Sequence, residues 1–305
     1  MRRRQKPDWL KIRLPSGGKL ESVRGLLADN CLHTVCQSAA CPNLGDCFSR
    51  GTATFLVMGN VCTRNCRFCN IENGRPQPLD SNEPETVAQT VKTLRLRHAV
   101  ITSVTRDDLP DGGASHFAET VRAVRELCPE TTVEVLIPDF LGKTDSLHAV
   151  LESKPDVLNH NVETVARLYP TVRPEANYHR SLQLLRSVKG CSPETVAKSG
   201  LMVGLGETEE EVFEVLKDLR EVDCEIVTIG QYLQPSKEHL SVREYIHPAI
   251  FEDYKREALQ MGFSYVASAP LVRSSFHAEE ALREAIQKTK KSPSSGGDYE
   301  LIPTL

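Results

Sequence analysis

Apolar positions along this chain follow two alternating rhythms from Thr52 onward. Short runs at Thr52–Met58, His98–Val104, Thr132–Ile137, Asp156–His160, Ser199–Gly204 and Glu225–Ile229 have the length and β-branched content of buried strands. Between them, apolar residues recur every three or four positions, the mark of helices with one face turned inward. Val87, Val91 and Leu94 share such a face, in a helix that Asn82 can cap and Pro84 can begin. Phe117, Val121, Val124 and Cys128 form a second stripe in a helix from Ser115, and Leu147, Val150 and Leu151 a third, opened by Asp145. Helices are also predicted over 162–169, 181–189 and 249–261. Thr208-Glu-Glu-Glu211 is a capping box for a helix buried through Val212, Val215, Leu216 and Leu219. Six β–α alternations imply parallel strands joined by right-handed crossovers. The expected fold is α/β, a partial (β/α)6 TIM-like barrel whose strand ends converge on one mouth.

The ends of the chain break this pattern. Residues 1–50 are rich in polar and turn residues and read as an N-terminal extension wrapping the barrel of residues 51–262. An apolar stretch at 263–272 opens a C-terminal segment, 263–286, and residues 287–305 are polar with Ser-Pro-Ser-Ser-Gly-Gly, as in a disordered tail. A length of 305 residues suits one barrel with extensions, and 40% hydrophobic content suffices for its core. The net charge of -4 argues against a nucleic-acid partner, the opening Arg-Arg-Arg-Gln-Lys run being too short to change that. No apolar stretch is long enough for a membrane span, and no secretory signal is evident, so a cytoplasmic protein is expected.

Six of the ten cysteines then dominate the chemistry. Cys62, Cys66 and Cys69 are separated by three residues and then two; Cys36, Cys41 and Cys47 by four and then five. Structural zinc asks for four ligands, usually as paired Cys-x-x-Cys units, whereas these groups are threes. Disulfide staples are unneeded in a chain with so large a core. A four-iron cluster is normally held by four thiolates, so three on one loop leave an iron for another ligand. Cys31, Cys128, Cys191 and Cys224 are scattered singly and read as buried core thiols.

Cys-x-x-x-Cys-x-x-Cys after the first strand of such an alternation resembles the radical S-adenosylmethionine enzymes. The first triplet, with Asn43-Leu-Gly-Asp-Cys47-Phe-Ser-Arg-Gly-Thr, narrows the resemblance to the lipoyl synthases. Further blocks keep that family's order over roughly residues 7 to 280: Thr105-Arg-Asp-Asp-Leu-Pro-Asp-Gly-Gly, Asn159-His-Asn-Val-Glu163, Val172-Arg-Pro, Lys198-Ser-Gly-Leu-Met-Val-Gly-Leu-Gly-Glu-Thr208 and Arg273-Ser-Ser-Phe-His277. The resemblance implies two 4Fe–4S clusters, one on Cys62, Cys66 and Cys69 that binds S-adenosylmethionine at its open iron. The second is auxiliary, on Cys36, Cys41 and Cys47 with Ser275 as fourth ligand, and the two extensions close over it. A serine alkoxide is a weaker match than thiolate to such a cluster, and so a labile ligand. The family usually carries tyrosine where this chain has Phe276.

The implied reaction inserts two sulfur atoms, taken from the auxiliary cluster, at C6 and C8 of an octanoyl chain, with two S-adenosylmethionines spent. The implied partners are octanoylated lipoyl-carrier domains (2-oxoacid dehydrogenase E2 subunits and the glycine cleavage H protein), an electron donor such as ferredoxin or flavodoxin, and an iron–sulfur carrier that rebuilds the auxiliary cluster. Candidate contacts to S-adenosylmethionine or substrate are Thr105, Asp107, Asn159, Glu163, Arg173 and Gly204. Helix capping suits Asn159 and Glu163 nearly as well, a solvated turn suits Thr105 and Asp107, a surface ion pair suits Arg173, and a plain turn suits Gly204. The alternatives are another two-cluster radical enzyme that inserts sulfur and, from a different class, a non-catalytic iron–sulfur electron carrier.

Overall fold

Seven parallel strands carry the body of the molecule, one more than the apolar pattern predicts. The computed structural model describes residues 6–10, 33–34, 43 and 52–291. Cys31, Cys36, Cys41 and Cys47 lie outside these residues, as does most of the N-terminal extension. In chain order the strands are β1 (His33–Thr34), β2 (Thr52–Val57), β3 (Val61–Cys62), β4 (Glu72–Asn73), β5 (His98–Ser103), β6 (Thr132–Leu136), β7 (Val157–Asn159), β8 (Val196–Val203), β9 (Ile226–Gln231) and β10 (Tyr265–Ser268). The helices are α1 (Glu83–Leu94), α2 (Ala114–Leu127), α3 (Thr144–Glu152), α4 (Tyr169–Val172), α5 (Tyr178–Cys191), α6 (Glu209–Glu221), α7 (Pro248–Gln260) and α8 (Ala278–Lys291).

The main sheet runs β1-β2-β5-β6-β7-β8-β9-β10, parallel throughout except for β1, which pairs antiparallel with β2. Among the described residues its two edges do not pair, so the barrel is partial. Helix faces follow the predicted stripes. Val87, Val91, Phe117, Val121, Val124, Leu147 and Val150 are buried against β2, β5 and β6. Val212, Val215, Leu216 and Leu219 are buried with Phe251 and Tyr254 against β8 and β9. Thr208 and Glu211 form the predicted capping box.

Four expectations are corrected. The apolar stretch 263–272 contains β10, paired in register with β9, so the barrel continues to Ser268. Its strand and the following connection are equally apolar, and periodicity does not divide them. The stretch 162–169 is helical only in its second half, a 3-10 turn at Ala166–Leu168 that leads into α4; before it Glu163 takes φ 65 and bridges Leu201, extending the β7 pairing along β8. Asn82 precedes α1 with helical dihedrals and makes no side-chain cap. Finally, α8 runs to Lys291, into the stretch read as a tail, and residues 292–305 lie outside the described ones.

Inside the barrel, below the mouth, charge replaces apolar packing. Glu134 of β6 accepts hydrogen bonds from Lys198 Nζ of β8 at 2.8 and 2.9 Å, and both side chains are 1% exposed. Burial alone would raise the Glu134 carboxyl, but Lys198 and His98 outweigh it and hold it at about 2.

Candidate active site

The described site residues predicted from sequence stand at or follow the C-terminal ends of strands, except Arg173, which follows α4 and reaches back to the segment after β7. The chain leaves β2 through Met58 and Gly59, both with positive φ (66 and 88), and turns into the cysteine loop. Cys62 Sγ accepts from the backbone N–H of Arg64 (3.4 Å) and of Thr105 (3.3 Å), so the loop is tied to the end of β5. Thr63 donates its N–H and its hydroxyl to the Thr105 carbonyl, at 3.1 and 3.0 Å. Arg64, buried, donates to Asp107 at 2.6 and 2.9 Å and to Asp139 at 2.6 Å. Burial works against the Arg64 charge, yet the two carboxylates hold it above its ordinary value. On the outer side His239 Nε2 donates to the Cys69 carbonyl at 2.9 Å, and Phe68 packs with Val172, Leu205 and Tyr232.

The segment that follows β7 supplies the facing wall. Arg173 is buried and donates to the carbonyls of Asn161 (2.9 Å) and Val162 (3.2 Å), with its guanidinium in hydrogen-bonding reach of Cys66. It is no surface ion pair. Glu163, half-buried, accepts from Asn161 Nδ2 at 3.1 Å, and burial raises its carboxyl. Burial likewise pushes the Cys69 thiol up to about 12 and raises Cys66, while Arg173 pulls Cys66 back down.

The C-terminal segment closes the rim from above β10. Gln231 N–H donates to Pro270 O at 3.2 Å, and Val272 O lies 2.2 Å from where a Cβ on Gly230 would stand. Ser274 Oγ accepts from Asn159 Nδ2 at 2.7 Å and donates to Asn161 Oδ1 at 3.2 Å. Ser275 follows, half-buried, and Phe276 stacks on His277 with ring centroids 3.9 Å apart. Asn43, two residues after Cys41, donates its amide to Leu271 O at 2.7 Å, which sets that part of the first-triplet loop beside the serine motif.

The structure thus brings together Cys62 with Thr105, Cys66 with Arg173 and Glu163, and Asn159 with the serine motif. Asp107 is engaged by Arg64. Gly204 serves a close approach of protein groups: a Cβ there would meet Gln231 Nε2 at 2.1 Å, and Glu207 binds its N–H. Sequence reasoning missed Arg64, Glu134, Lys198, Gly230 and His239. For Glu134 a signal existed, a charge at mid-strand between Val133 and Val135. Of the scattered thiols, Cys224 is buried and Cys128 half-buried, but Cys191 is exposed at the end of α5, 3.1 Å from His148 Nε2.

The family model for the radical SAM superfamily matches residues 56–219. The lipoyl synthase of Caldanaerobacter subterraneus subsp. tengcongensis is 59% identical over 91% of this chain and 97% of its own. That of Caldicellulosiruptor saccharolyticus is 58% identical over 93% and 99%. The chain belongs to the lipoyl synthase family of radical SAM enzymes. Solved structures at low identity agree on the fold: methylornithine synthase superposes with TM-score 0.52 at 16% identity over 82% of both chains. Streptococcus suis SuiB with its precursor peptide gives 0.58 at 10% identity, over 85% of this chain and 54% of that one.

Lipoyl synthases are sulfurtransferases that use 4Fe–4S clusters and S-adenosylmethionine. The residues present fit that demand. Among the described residues no three Cys, His, Asp or Glu side chains converge on a single-ion position. A cubane asks instead for one thiolate per iron, spread around a larger body. Cys62 already receives two backbone N–H groups, as a thiolate ligand does, and iron would replace the protons that burial holds on Cys66 and Cys69. Asn159 Oδ1 and Arg173 Nε are buried on this rim without a hydrogen-bond partner in the protein, an acceptor and a donor suited to a polar cofactor.

Proposed function

We propose that this lipoyl synthase inserts sulfur at C6 and C8 of an octanoyl chain held on a lysine of a lipoyl-carrier domain. One observation carries the reading: the cysteine loop and the serine motif stand on one rim, where Ser274 bonds Asn159 and Asn161, and Asn161 bonds Glu163, the carboxyl beside Cys66. When bound, the first cluster and S-adenosylmethionine supply a 5′-deoxyadenosyl radical that removes a hydrogen atom from the chain. Cys62, Cys66 and Cys69 hold that cluster. Thr105, Asn159, Glu163 and Arg173 orient the cofactor, with Asp107 and Gly204 shaping the adjoining walls.

The auxiliary cluster is the second substrate, donating its sulfide. Cys36, Cys41, Cys47 and Ser275 hold it, with residues 1–50 and the C-terminal segment closing over it. The Asn43–Leu271 hydrogen bond supports this, since it sets Asn43, which stands between Cys41 and Cys47 in sequence, beside a residue four before Ser275. Each chain consumes two S-adenosylmethionines per lipoyl group. The carriers are E2 subunits of 2-oxoacid dehydrogenases and the glycine cleavage H protein. Ferredoxin or flavodoxin supplies electrons, an iron–sulfur carrier rebuilds the cluster, and the setting is the cytoplasm. No described helix is long and apolar enough to cross a membrane.

Alanine variants of the two triplets separate the roles. Cys62→Ala abolishes 5′-deoxyadenosine formation. Cys41→Ala keeps it and abolishes thiolation of an octanoyl-lysine peptide, read by mass spectrometry. Equal loss of cofactor cleavage in both variants contradicts the assignment.

A further inference from the structure

A serine in a tight turn commonly bonds its own neighbouring backbone. Ser274 does not. Its partners Asn159 and Asn161 lie 115 and 113 residues away, and its hydroxyl is both donor and acceptor between them. Asn159 Nδ2 also donates to Glu134 Oε1 at 3.0 Å, the oxygen that Lys198 Nζ reaches at 2.8 Å. On the other side Asn161 Nδ2 donates to Glu163 Oε1. The Ser274 hydroxyl therefore links a buried ion pair, fixed by β6 and β8, to the carboxyl beside Cys66.

We propose that Ser274 is a positioning residue that sets where Ser275 stands relative to the cysteine loop, and so couples cofactor cleavage to sulfur insertion. This rests on the reading of Ser275 as the auxiliary-cluster ligand. Consecutive Cα atoms are about 3.8 Å apart, so pinning one residue confines the next. Several neighbouring ties run instead through backbone carbonyls: Leu271 O to Asn43, Val272 O over Gly230, and Arg273 O to the Phe276 N–H at 2.8 Å. At Ser274 the side chain itself bonds to the barrel rim, so its identity bears directly on the register.

The test uses holoenzyme reconstituted with ⁵⁷Fe, comparing wild type, Ser274→Ala, Ser274→Thr and Ser275→Ala. Mössbauer spectroscopy reads the iron with a non-thiolate ligand, and single turnover reads 5′-deoxyadenosine formed per sulfur inserted. Removing the two hydrogen bonds of this half-buried hydroxyl should raise that ratio about tenfold in Ser274→Ala and weaken the distinct iron signal, with Thr restoring both. A lower melting temperature with ratio and spectrum unchanged makes Ser274 merely structural and overturns the proposal. An unchanged spectrum in Ser275→Ala overturns instead the ligand reading on which it rests, whatever Ser274→Ala does.

Discussion

Lys198→Met removes one partner of the ion pair inside the barrel. Both side chains are 1% exposed, so the variant leaves the Glu134 carboxylate in a site that water does not reach. Breaking a buried pair in this way costs about 3–5 kcal/mol. Asn159 Nδ2 at 3.0 Å and His98 Nε2 at 3.7 Å remain beside the carboxylate, which favours the lower end of that range. At roughly 2–4 °C per kcal/mol for a chain this size, the melting temperature should fall about 6–12 °C at pH 7. The pH dependence is the sharper signature. In the wild type Glu134 sits at about 2, below the ordinary 4.5, so its contribution is present above 4.5 and lost as pH falls toward 2. Without Lys198, burial dominates and the carboxyl rises above its ordinary value. The deficit of the variant is then greatest at neutral pH and shrinks on acidification toward pH 5, as the carboxyl becomes neutral. Circular-dichroism melts at several pH values measure this, and Glu134→Gln added to Lys198→Met should recover most of the loss. A drop below about 2 °C, or a deficit that is constant from pH 8 to pH 5, would refute the reasoning.

Two further outcomes follow from local geometry. Gly230→Ala sets a Cβ 2.2 Å from Val272 O, so the serine motif must move. Thiolation should fall at least tenfold while cofactor cleavage persists, with about 1–3 kcal/mol of overpacking seen in the melt; retention of full thiolation would show that the motif tolerates displacement. Thr208→Ala removes one half of the capping box on α6 and should cost about 1 kcal/mol in melting experiments without changing product ratios.

Which of these features could be read beforehand depended on how local their causes are. The α6 face and its capping box are encoded within four residues of themselves, and both appear as predicted. The Cys62, Cys66 and Cys69 loop is equally local, because three thiols on one short loop already define the chemistry they suit. Tertiary pairings were not legible. Arg64 meets Asp139 across 75 residues, Glu134 meets Lys198 across 64, and Asn159 meets Ser274 across 115. Each needs the order of the whole sheet, from β2 to β10, before it exists. β10 was hidden for the opposite reason, since an apolar strand running into an apolar connection carries no boundary. At 162–169 apolar spacing suggested a helix, but the backbone of Glu163 finds its partners in Gly200 and Met202 of β8 instead. For Arg173 a surface ion pair with a nearby acid such as Glu175 suited the sequence as well as a cofactor contact did. Burial beside Cys66 came from the fold.

We propose that this chain builds lipoyl groups from its own auxiliary cluster. The most direct test reconstitutes the enzyme with ³⁴S sulfide and runs one anaerobic turnover on an octanoyl-lysine peptide with reductant and S-adenosylmethionine. Mass spectrometry should find both inserted sulfurs heavy, with about two 5′-deoxyadenosines formed per lipoyl group. Light sulfur in the product, or cofactor cleavage without any peptide thiolation by enzyme holding both clusters, would contradict the account.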